Sequence, residues 1–117
     1  MRVFKNYIDS EIPTFNGTYN EIYAYNDVLV PAKSKAGINL GVTIESENLI
    51  IFIPNEKYTL LRNITIPFNV YKTADNVVVE NLSNSDVLVE KGDKIGGFIE
   101  IQNINPSIDI IENIYIS

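Results

Sequence analysis

The sequence predicts an all-β fold in a single domain, and three observations support that prediction. The chain has 117 residues, which is the size of one ordinary domain and long enough to bury a core without disulfide or metal cross-links. Its apolar runs are rich in Val, Ile, Tyr, Phe and Thr, and Asn, Asp, Gly, Pro and Ser separate them. No segment keeps a 3.6-residue apolar period, so short strands at this spacing indicate a sandwich, a barrel or a jelly roll.

The candidate strands follow from these apolar runs and the turn residues between them. They cover about residues 2–8, 22–30, 36–44, 48–53, 57–62, 64–71, 76–81, 86–90, 94–101 and 108–116. In segment 22–30, successive side chains alternate between the two faces of the predicted strand. Residues 49–53 and 77–79 are continuously apolar, which predicts strands that are covered on both faces.

One candidate strand contains a proline. In segment 64–71, alternation places Ile64, Ile66, Phe68 and Val70 on one face. Proline has no N–H to donate to a neighbouring strand, so Pro67 predicts a sheet edge or a bulge here.

The turns have equally clear signatures. Asn16-Gly17 predicts a hairpin with a type I′ turn, because that turn needs positive φ at both central residues. Residues 81–86 predict a polar loop, and residues 91–93 predict a tight turn in which Gly92 supplies positive φ and Asp93 bonds to the backbone. A phosphate contact at Gly92-Asp93 is the alternative, although any barrel of this kind needs the same turn.

Composition limits the chemistry and the partners. The chain has no Cys and no His, which excludes disulfides, a thiol nucleophile and an imidazole base or ligand. Catalysis would have to use carboxylates, Lys, Tyr or a hard cation. The net charge of −6 predicts no nucleic-acid partner. No apolar run approaches the ~20 residues of a membrane span, and residues 1–8 lack a signal-peptide core, so we expect no membrane partner and a cytoplasmic origin.

Two blocks of the sequence carry recognisable motifs. Residues 30–40 read Val-Pro-Ala-Lys-Ser-Lys-Ala-Gly-Ile-Asn-Leu, and residues 79–95 contain Val-Glu-Asn-Leu, a polar loop and Val-Leu-Val-Glu-Lys-Gly-Asp-Lys-Ile. The first block resembles the Leu-Pro and Ala-Gly-Tyr-Asp-Leu opening of the trimeric dUTPase family, and the second resembles that family's late strand and Gly-Asp-Arg-Ile-Ala-Gln turn. The resemblance spans about residues 28–101 and implies a distorted jelly-roll β-barrel that forms trimers with exchanged arms.

The positions that carry the family's chemistry differ in this chain. Where the family has an Asp that helps hold the catalytic magnesium ion, this chain has Asn39, and an amide is a poorer ligand for a hard cation. The best counterpart of the family's Pro-Arg-Ser-Ser stretch has Arg62 and no serine pair. The family's central segment, which supplies the uracil pocket and the water-activating Asp, has no counterpart in this chain, and segment 71–75 stands about there with neither glycine. The closing Gln of the fourth motif is missing from 95–97, and 106–117 is Ile-rich instead of Gly-rich. The resemblance therefore implies the barrel without its active site, with no catalytic residue, cofactor or metal ligand retained.

A pair of acidic residues offers one further candidate site. Glu45 and Glu47 are two apart and would share a strand face, as would Asp109 and Asn113. Such a pair could bind a cation or perform acid–base chemistry. A solvated edge that blocks strand addition explains it as well, and the spacing places no third ligand.

An arm flanks the densest strand pattern at each end. We expect residues 1–27 to form a β-hairpin arm that docks on a partner, residues 28–102 to form the barrel, and residues 103–117 to form a C-terminal strand or arm, all within one domain. Large apolar side chains in both arms need a surface to cover. The interface candidates are Phe4, Tyr7, Ile8, Phe15, Tyr19 and Tyr23 in the first arm and Ile108, Ile110, Ile114 and Ile116 in the second.

Three functional hypotheses follow. The first is a non-enzymatic structural or interaction protein on a homotrimeric dUTPase-like barrel, a phage or viral virion component such as a capsid decoration protein or a fibre anchor, whose partners are itself and other structural proteins. The second is a diverged member of the dUTPase family that still binds a nucleotide or hydrolyses dUTP. The third is a regulatory module that captures a small ligand or a host protein between subunits. Fold analogy alone does not separate them.

Overall fold

The computed structural model of this chain describes residues 1–101. Within that part the chain forms eight strands and one helix, in this order: β1 (Arg2–Lys5), β2 (Thr14–Phe15), β3 (Asn20–Tyr23), β4 (Val28–Val30), β5 (Ser34–Pro54), α1 (Glu56–Arg62), β6 (Asn69–Asn81), β7 (Val87–Val89) and β8 (Lys94–Ile101). The all-β prediction is confirmed. The predicted strand 108–116 and the four C-terminal interface candidates lie outside the described residues.

Strand β5 organises the main sheet. It is 21 residues long and pairs antiparallel with β6, and also with β1 and β8. The sheet continues from β8 to β3 and β2, while β4 and β7 form a separate two-stranded sheet. The β5–β6 register shifts between Asn39 and Ile44 and again between Glu45 and Ile50, so β5 bends twice and the sheet curls on itself. The predicted strands 36–44 and 48–53 are therefore one bent strand.

The core packs against one face of the curled sheet. Ile50 and Phe52 of β5 are fully buried, and Phe52 contacts Phe98 of β8 edge to face with ring centroids 5.3 Å apart. The alternate residue Leu49 is 45% exposed, and Val78 in the run 77–79 is 43% exposed. The prediction that these apolar runs are covered on both faces is wrong for the single chain, because the core covers only one face of the sheet.

Helix α1 occupies a segment for which the sequence predicts a strand, 57–62, and that prediction is wrong. The Asn55 side chain accepts a hydrogen bond from the Tyr58 N–H and caps the N-terminus, and Asn63, at φ 55°, ends the helix in the left-handed conformation. No residue of α1 is buried. An apolar period is absent because Tyr58 is the residue of the helix that packs against the core, and it does so only partly buried, which is why periodicity missed the helix.

The predicted strand 64–71 is also largely wrong. Ile64 and Ile66 are buried, but Phe68 is 63% exposed, so these side chains do not share one face. Before β6 begins at Asn69, this segment pairs with the sheet through an isolated antiparallel bridge between Thr65 and Glu80. Proline at 67 cannot donate to a ladder, and the pairing resumes beyond it.

The Asn-Gly hairpin is confirmed, but its turn type is wrong. Strands β2 and β3 pair on either side of residues 16–19, and Gly17 has φ 98°. A type I′ turn would require positive φ at Asn16 as well, and Asn16 does not have it. Its side-chain Oδ1 instead accepts from the backbone N–H groups of Thr18 and Tyr19, both at 2.9 Å.

Parts of segment 1–27 belong to the same sheet as the rest of the chain. Strand β1 pairs with β5, and β3 pairs with β8. Ile22 and Ala24 are core residues. The structure therefore offers no boundary in the sheet at residue 27. No helix within residues 1–101 is long and apolar enough to cross a bilayer.

Candidate functional site

The side chain of Asn39 is engaged on both sides by the chain itself. Its Oδ1 accepts the backbone N–H of Gly41 at 2.8 Å, and its Nδ2 donates to the hydroxyl of Tyr7 at 3.2 Å. Tyr7 comes from the segment after β1, so an amide at position 39 helps hold that segment on β5. The sequence predicted the loss of the acid at this position, but it gave no sign of the partner.

A groove opens beside Asn39, between the segment after β1 and the β5–β6 pair. Its volume is about 470 Å³. We call it the amide groove, and its lining residues are Asn6, Tyr7, Gly37, Asn39, Asp75 and Asn76. Asn39 and Asn76 are directly paired across β5 and β6. The structure thus brings Asp75 to the same groove as Asn39.

Residues 6–10, which we call the strap, are held on the barrel by a dense set of contacts. The rings of Tyr7 and Tyr25 stack with centroids 4.3 Å apart at 16°. Tyr25 donates its hydroxyl to Asp9, and Lys91 pairs with the same carboxylate at 3.2 Å. The bond from Tyr25, followed by that from Lys91, holds the pKa of Asp9 below its usual range, and the bond to Asp9 raises the pKa of Tyr25 to about 12.

Gly41 allows the strap to dock. It has φ 72°, and a Cβ at this position would lie 2.6 Å from Cδ1 of Tyr25 and 3.1 Å from Oγ of Ser10. Its carbonyl accepts hydrogen bonds from the Asn6 N–H, at 2.9 Å, and from the buried hydroxyl of Ser10. Only glycine combines this backbone conformation with so close an approach.

The tight turn predicted at Gly92-Asp93 is present. Gly92 has φ 88°, and the Asp93 carboxylate accepts from the backbone N–H of Glu90 at 3.0 Å. The same carboxylate also accepts from Tyr58 at 2.7 Å and pairs with Arg62 at 3.5 Å. Burial and then the bond to Asp93 raise the pKa of Tyr58. Arg62 therefore joins helix α1 to this turn.

The two acidic residues Glu45 and Glu47 on β5 have different environments. Glu45 pairs with Arg2 at 2.7 Å, whereas Glu47 is exposed. Within residues 1–101 no group of three or more acidic side chains lies close enough to hold a metal ion. Asp109 and Asn113 lie outside the described residues.

The N-terminal interface candidates lie on three different strands and in the segments beside them. Phe4, Tyr7 and Ile8 are 47%, 45% and 97% exposed and lie on or just after β1, whereas Phe15 lies on β2, at the other end of the sheet. The other two are partly buried. Tyr19 covers Gly97, where an added Cβ would meet its ring at 2.0 Å. The Tyr23 hydroxyl donates to Thr14 at 3.2 Å.

Several exposed apolar side chains were not among the candidates. Leu29 and Leu88 face each other across β4 and β7 and are 57% and 41% exposed. Leu60 and Leu61 on α1 are 81% and 77% exposed. The exposure of Leu60 and Leu61 depends on the formation of α1, and that of Leu29 and Leu88 depends on which face of the β4–β7 sheet points outward. The sequence carries no signal for either.

Comparison with known proteins gives a clear result at the level of fold. No family model matches the chain, and no curated protein matches it. Among solved structures, a mutant dUTPase from Staphylococcus bacteriophage 80alpha superposes with a TM-score of 0.74 at 11% identity, over 97% of each chain. The dUTPase of that phage without a substitution gives 0.71 at 13% identity over 97% of each chain. A mutant dUTPase from phage phi11 of S. aureus gives 0.71 at 14% identity over 96% of each chain. The dUTPase-like fold implied by the two sequence blocks is confirmed.

Proposed function

We propose that this chain, which has the dUTPase-like fold, is a non-catalytic interaction protein. The observation that carries the proposal is the state of Asn39. A neutral amide stands where the family has a carboxylate, and both of its polar atoms are already bound within the chain. Hydrolysis of a nucleoside triphosphate needs a metal ion to neutralise phosphate oxygens and a positioned water molecule. The amide groove offers one carboxylate, Asp75, for both tasks.

The proposed assembly is a homotrimer with exchanged C-terminal arms. Leu49 and Ile101 are cross-strand partners on β5 and β8, and they are 45% and 40% exposed on the outer face of the sheet. Beyond Ile101 the sequence places Ile108, Ile110, Ile114 and Ile116, and burial of each could contribute about 1.5–3 kcal/mol. A strand added to a neighbour's sheet would cover such residues. Deletion of residues 106–117 should give monomers or aggregates, and a truncated chain that remains a folded trimer would contradict arm exchange.

The proposed partner is another structural protein of a phage or viral particle, with this chain as a capsid decoration protein or fibre anchor. Phage dUTPases of this fold control the transfer of virulence genes, and the phage 80 dUTPase has a SaPI-inducing capacity. The occurrence of this fold in phage proteins supports a phage context for the proposal. The strap offers a contact point, because Ile8 is 97% exposed beside Phe4 and Tyr7. In this proposal the protein resides in the virion, and in the cytoplasm before assembly.

A point substitution separates docking from folding. Ile8→Asp places a charge on a fully exposed side chain, so we expect a folded trimer that no longer enters its assembly. Leu60→Asp is the matched control, since Leu60 is 81% exposed at a distant site on α1. Incorporation of the Ile8→Asp protein at the wild-type level would exclude the strap as the docking element.

The second candidate function is a diverged nucleotide-binding member of the dUTPase family. The position of Asp75 beside Asn39 favours it, because an acid capable of orienting water lines the groove. Mass in solution and thermal unfolding, each measured alone and with dUTP and magnesium, distinguish the two candidates. The interaction protein is a trimer whose melting temperature is unchanged by dUTP. Stabilisation that grows with dUTP concentration would support the second candidate and contradict the first.

A further inference from the structure

We infer that the amide groove binds a neutral, polyhydroxylated ligand, namely a single sugar ring. The inference goes beyond the proposed function, since an interaction protein does not need a small-molecule site. It rests on the hydrogen-bonding groups, the charge and the open space of the groove, each of which is an independent property of the described residues.

The groove presents donors and acceptors that its internal bonds have already oriented. Asn39 donates to the Tyr7 hydroxyl, which leaves the hydroxyl proton of Tyr7 available to a ligand. The Asn6 Oδ1 accepts from Thr43 at 3.0 Å, which fixes that amide and leaves its N–H donors. Asn76 donates one N–H to Asp75 at 2.7 Å, and the second carboxylate oxygen of Asp75 remains an acceptor.

These hydrogen-bond donors and acceptors suit the hydroxyl groups of a sugar better than the polar groups of other small ligands. Each hydroxyl can donate one hydrogen bond and accept others, so neighbouring hydroxyls on a ring can bond to an amide and a carboxylate together. Bonds to a charged acceptor such as Asp75 are stronger than neutral ones. Tyr7 adds an aromatic ring that is 45% exposed and is fixed by its stacking on Tyr25.

The charge of the groove disfavours anions. The residues that line it within the described chain include no Lys or Arg, and Asp75 is the one ionisable acid among them. A phosphate or a carboxylate would approach a negative charge without a cation to compensate it. A sugar phosphate and a nucleotide should therefore bind less well than the neutral sugar.

The floor of the groove is open at Gly37. A Cβ added there would meet no atom within 4 Å, and Gly37 is not among the positive-φ residues. The volume of about 470 Å³ falls within the roughly 300–1,000 Å³ that is usual for ligand pockets. A side chain at position 37 would therefore occupy part of the groove without meeting other atoms of the fold.

Saturation-transfer NMR and calorimetry with methyl α-D-glucopyranoside, methyl β-D-galactopyranoside and N-acetylglucosamine test the inference. We expect at least one of them to bind with a Kd of about 1 mM, equivalent to roughly −4 kcal/mol, and glucose 6-phosphate and dUTP to bind at least several-fold more weakly. Asp75→Asn should weaken the sugar about tenfold through loss of a charged acceptor.

Gly37→Val supplies the steric test. It should abolish sugar binding while circular dichroism and the melting temperature show a folded protein. Glu47→Val is the matched control, because it also places Val at an exposed position of β5 but outside the groove, and it should bind like the wild type. The inference is overturned if none of the three sugars binds at 20 mM (about 20-fold above the expected Kd), if folded Gly37→Val binds normally, or if an anionic ligand binds more tightly. Because dUTP hydrolysis and oligomeric state are measured separately, these outcomes leave the proposed function independently testable.

Discussion

Replacement of Gly41 by alanine should destabilise the protein by detaching the strap. At φ 72° a non-glycine residue costs about 1–2 kcal/mol. The new Cβ would lie 2.6 Å from the Tyr25 ring, so the ring must move away from Tyr7, and such aromatic pairs contribute about 0.5–1.5 kcal/mol. The bond from Ser10 to the Gly41 carbonyl is disturbed at the same place, at a cost of about 1 kcal/mol. A reduced unfolded-state entropy returns about 0.4–1 kcal/mol.

The expected net loss for Gly41→Ala is about 1.5–4 kcal/mol, measured as the change in the free energy of unfolding in urea. Gly37→Ala is the matched control on the same strand, because its Cβ meets open space at an ordinary φ. That control should be neutral or stabilising by up to about 1 kcal/mol. If Gly41→Ala is no less stable than Gly37→Ala, the strap is not fixed by the close approach at Gly41, and the reasoning is wrong.

Three further predictions concern other contacts. Asp93→Ala removes the acceptor that joins α1 to the turn before β8, so it should cost about 2–3 kcal/mol of unfolding free energy; no loss in urea titrations would show that this contact is only incidental. The pKa of Tyr25 is raised from 10.0 to about 12, so the stability from its bond to Asp9 is present below pH 10 and lost as pH rises to 12. The pKa of Asp9 is lowered, so the stability that the Asp9 carboxylate contributes is lost as pH falls below the ordinary Asp value of 3.8. Urea titrations across pH should show both losses, and a Tyr25→Phe protein with the same alkaline profile would contradict the assignment. Gly97→Ala would place a Cβ 2.5 Å from a backbone carbonyl, so we expect a loss of about 3 kcal/mol or failure to fold, and a wild-type melting temperature would refute the packing.

Local signals in the sequence predicted much of the barrel but not the helix. Alternating and β-branched runs located the strands, and Gly92 and Asp93 specified their turn. Helix α1 was missed because Leu60 and Leu61 point outward, and a helix that packs only the partly buried Tyr58 against the core produces no apolar period. Its N-cap, Asn55, was visible in the sequence, but Asn after Pro also fits the end of a strand.

The candidate site was only half visible for a similar reason. The amide at position 39 could be recognised from the motif, but its partner Tyr7 comes from a segment 32 positions away. The register of the β5–β6 pair shifts between Asn39 and Ile44, and Asp75 lies on β6 opposite that shift. A strand pattern does not encode where such a shift occurs, because a bulge changes the face of every residue beyond it. Exposed apolar residues such as Phe4 and Phe15 were recognised individually, and their separation across the sheet depends on topology.

Pyrophosphate release from dUTP in the presence of magnesium tests the central claim, that this dUTPase-like fold carries an interaction protein, most directly. The account predicts no release above the protein-free blank at any protein concentration, with a matched active dUTPase as the positive control. Asp75→Asn is the diagnostic variant, because Asp75 is the carboxylate that lines the groove beside Asn39. Release that scales with protein concentration and disappears in folded Asp75→Asn would contradict the account and identify the chain as an enzyme.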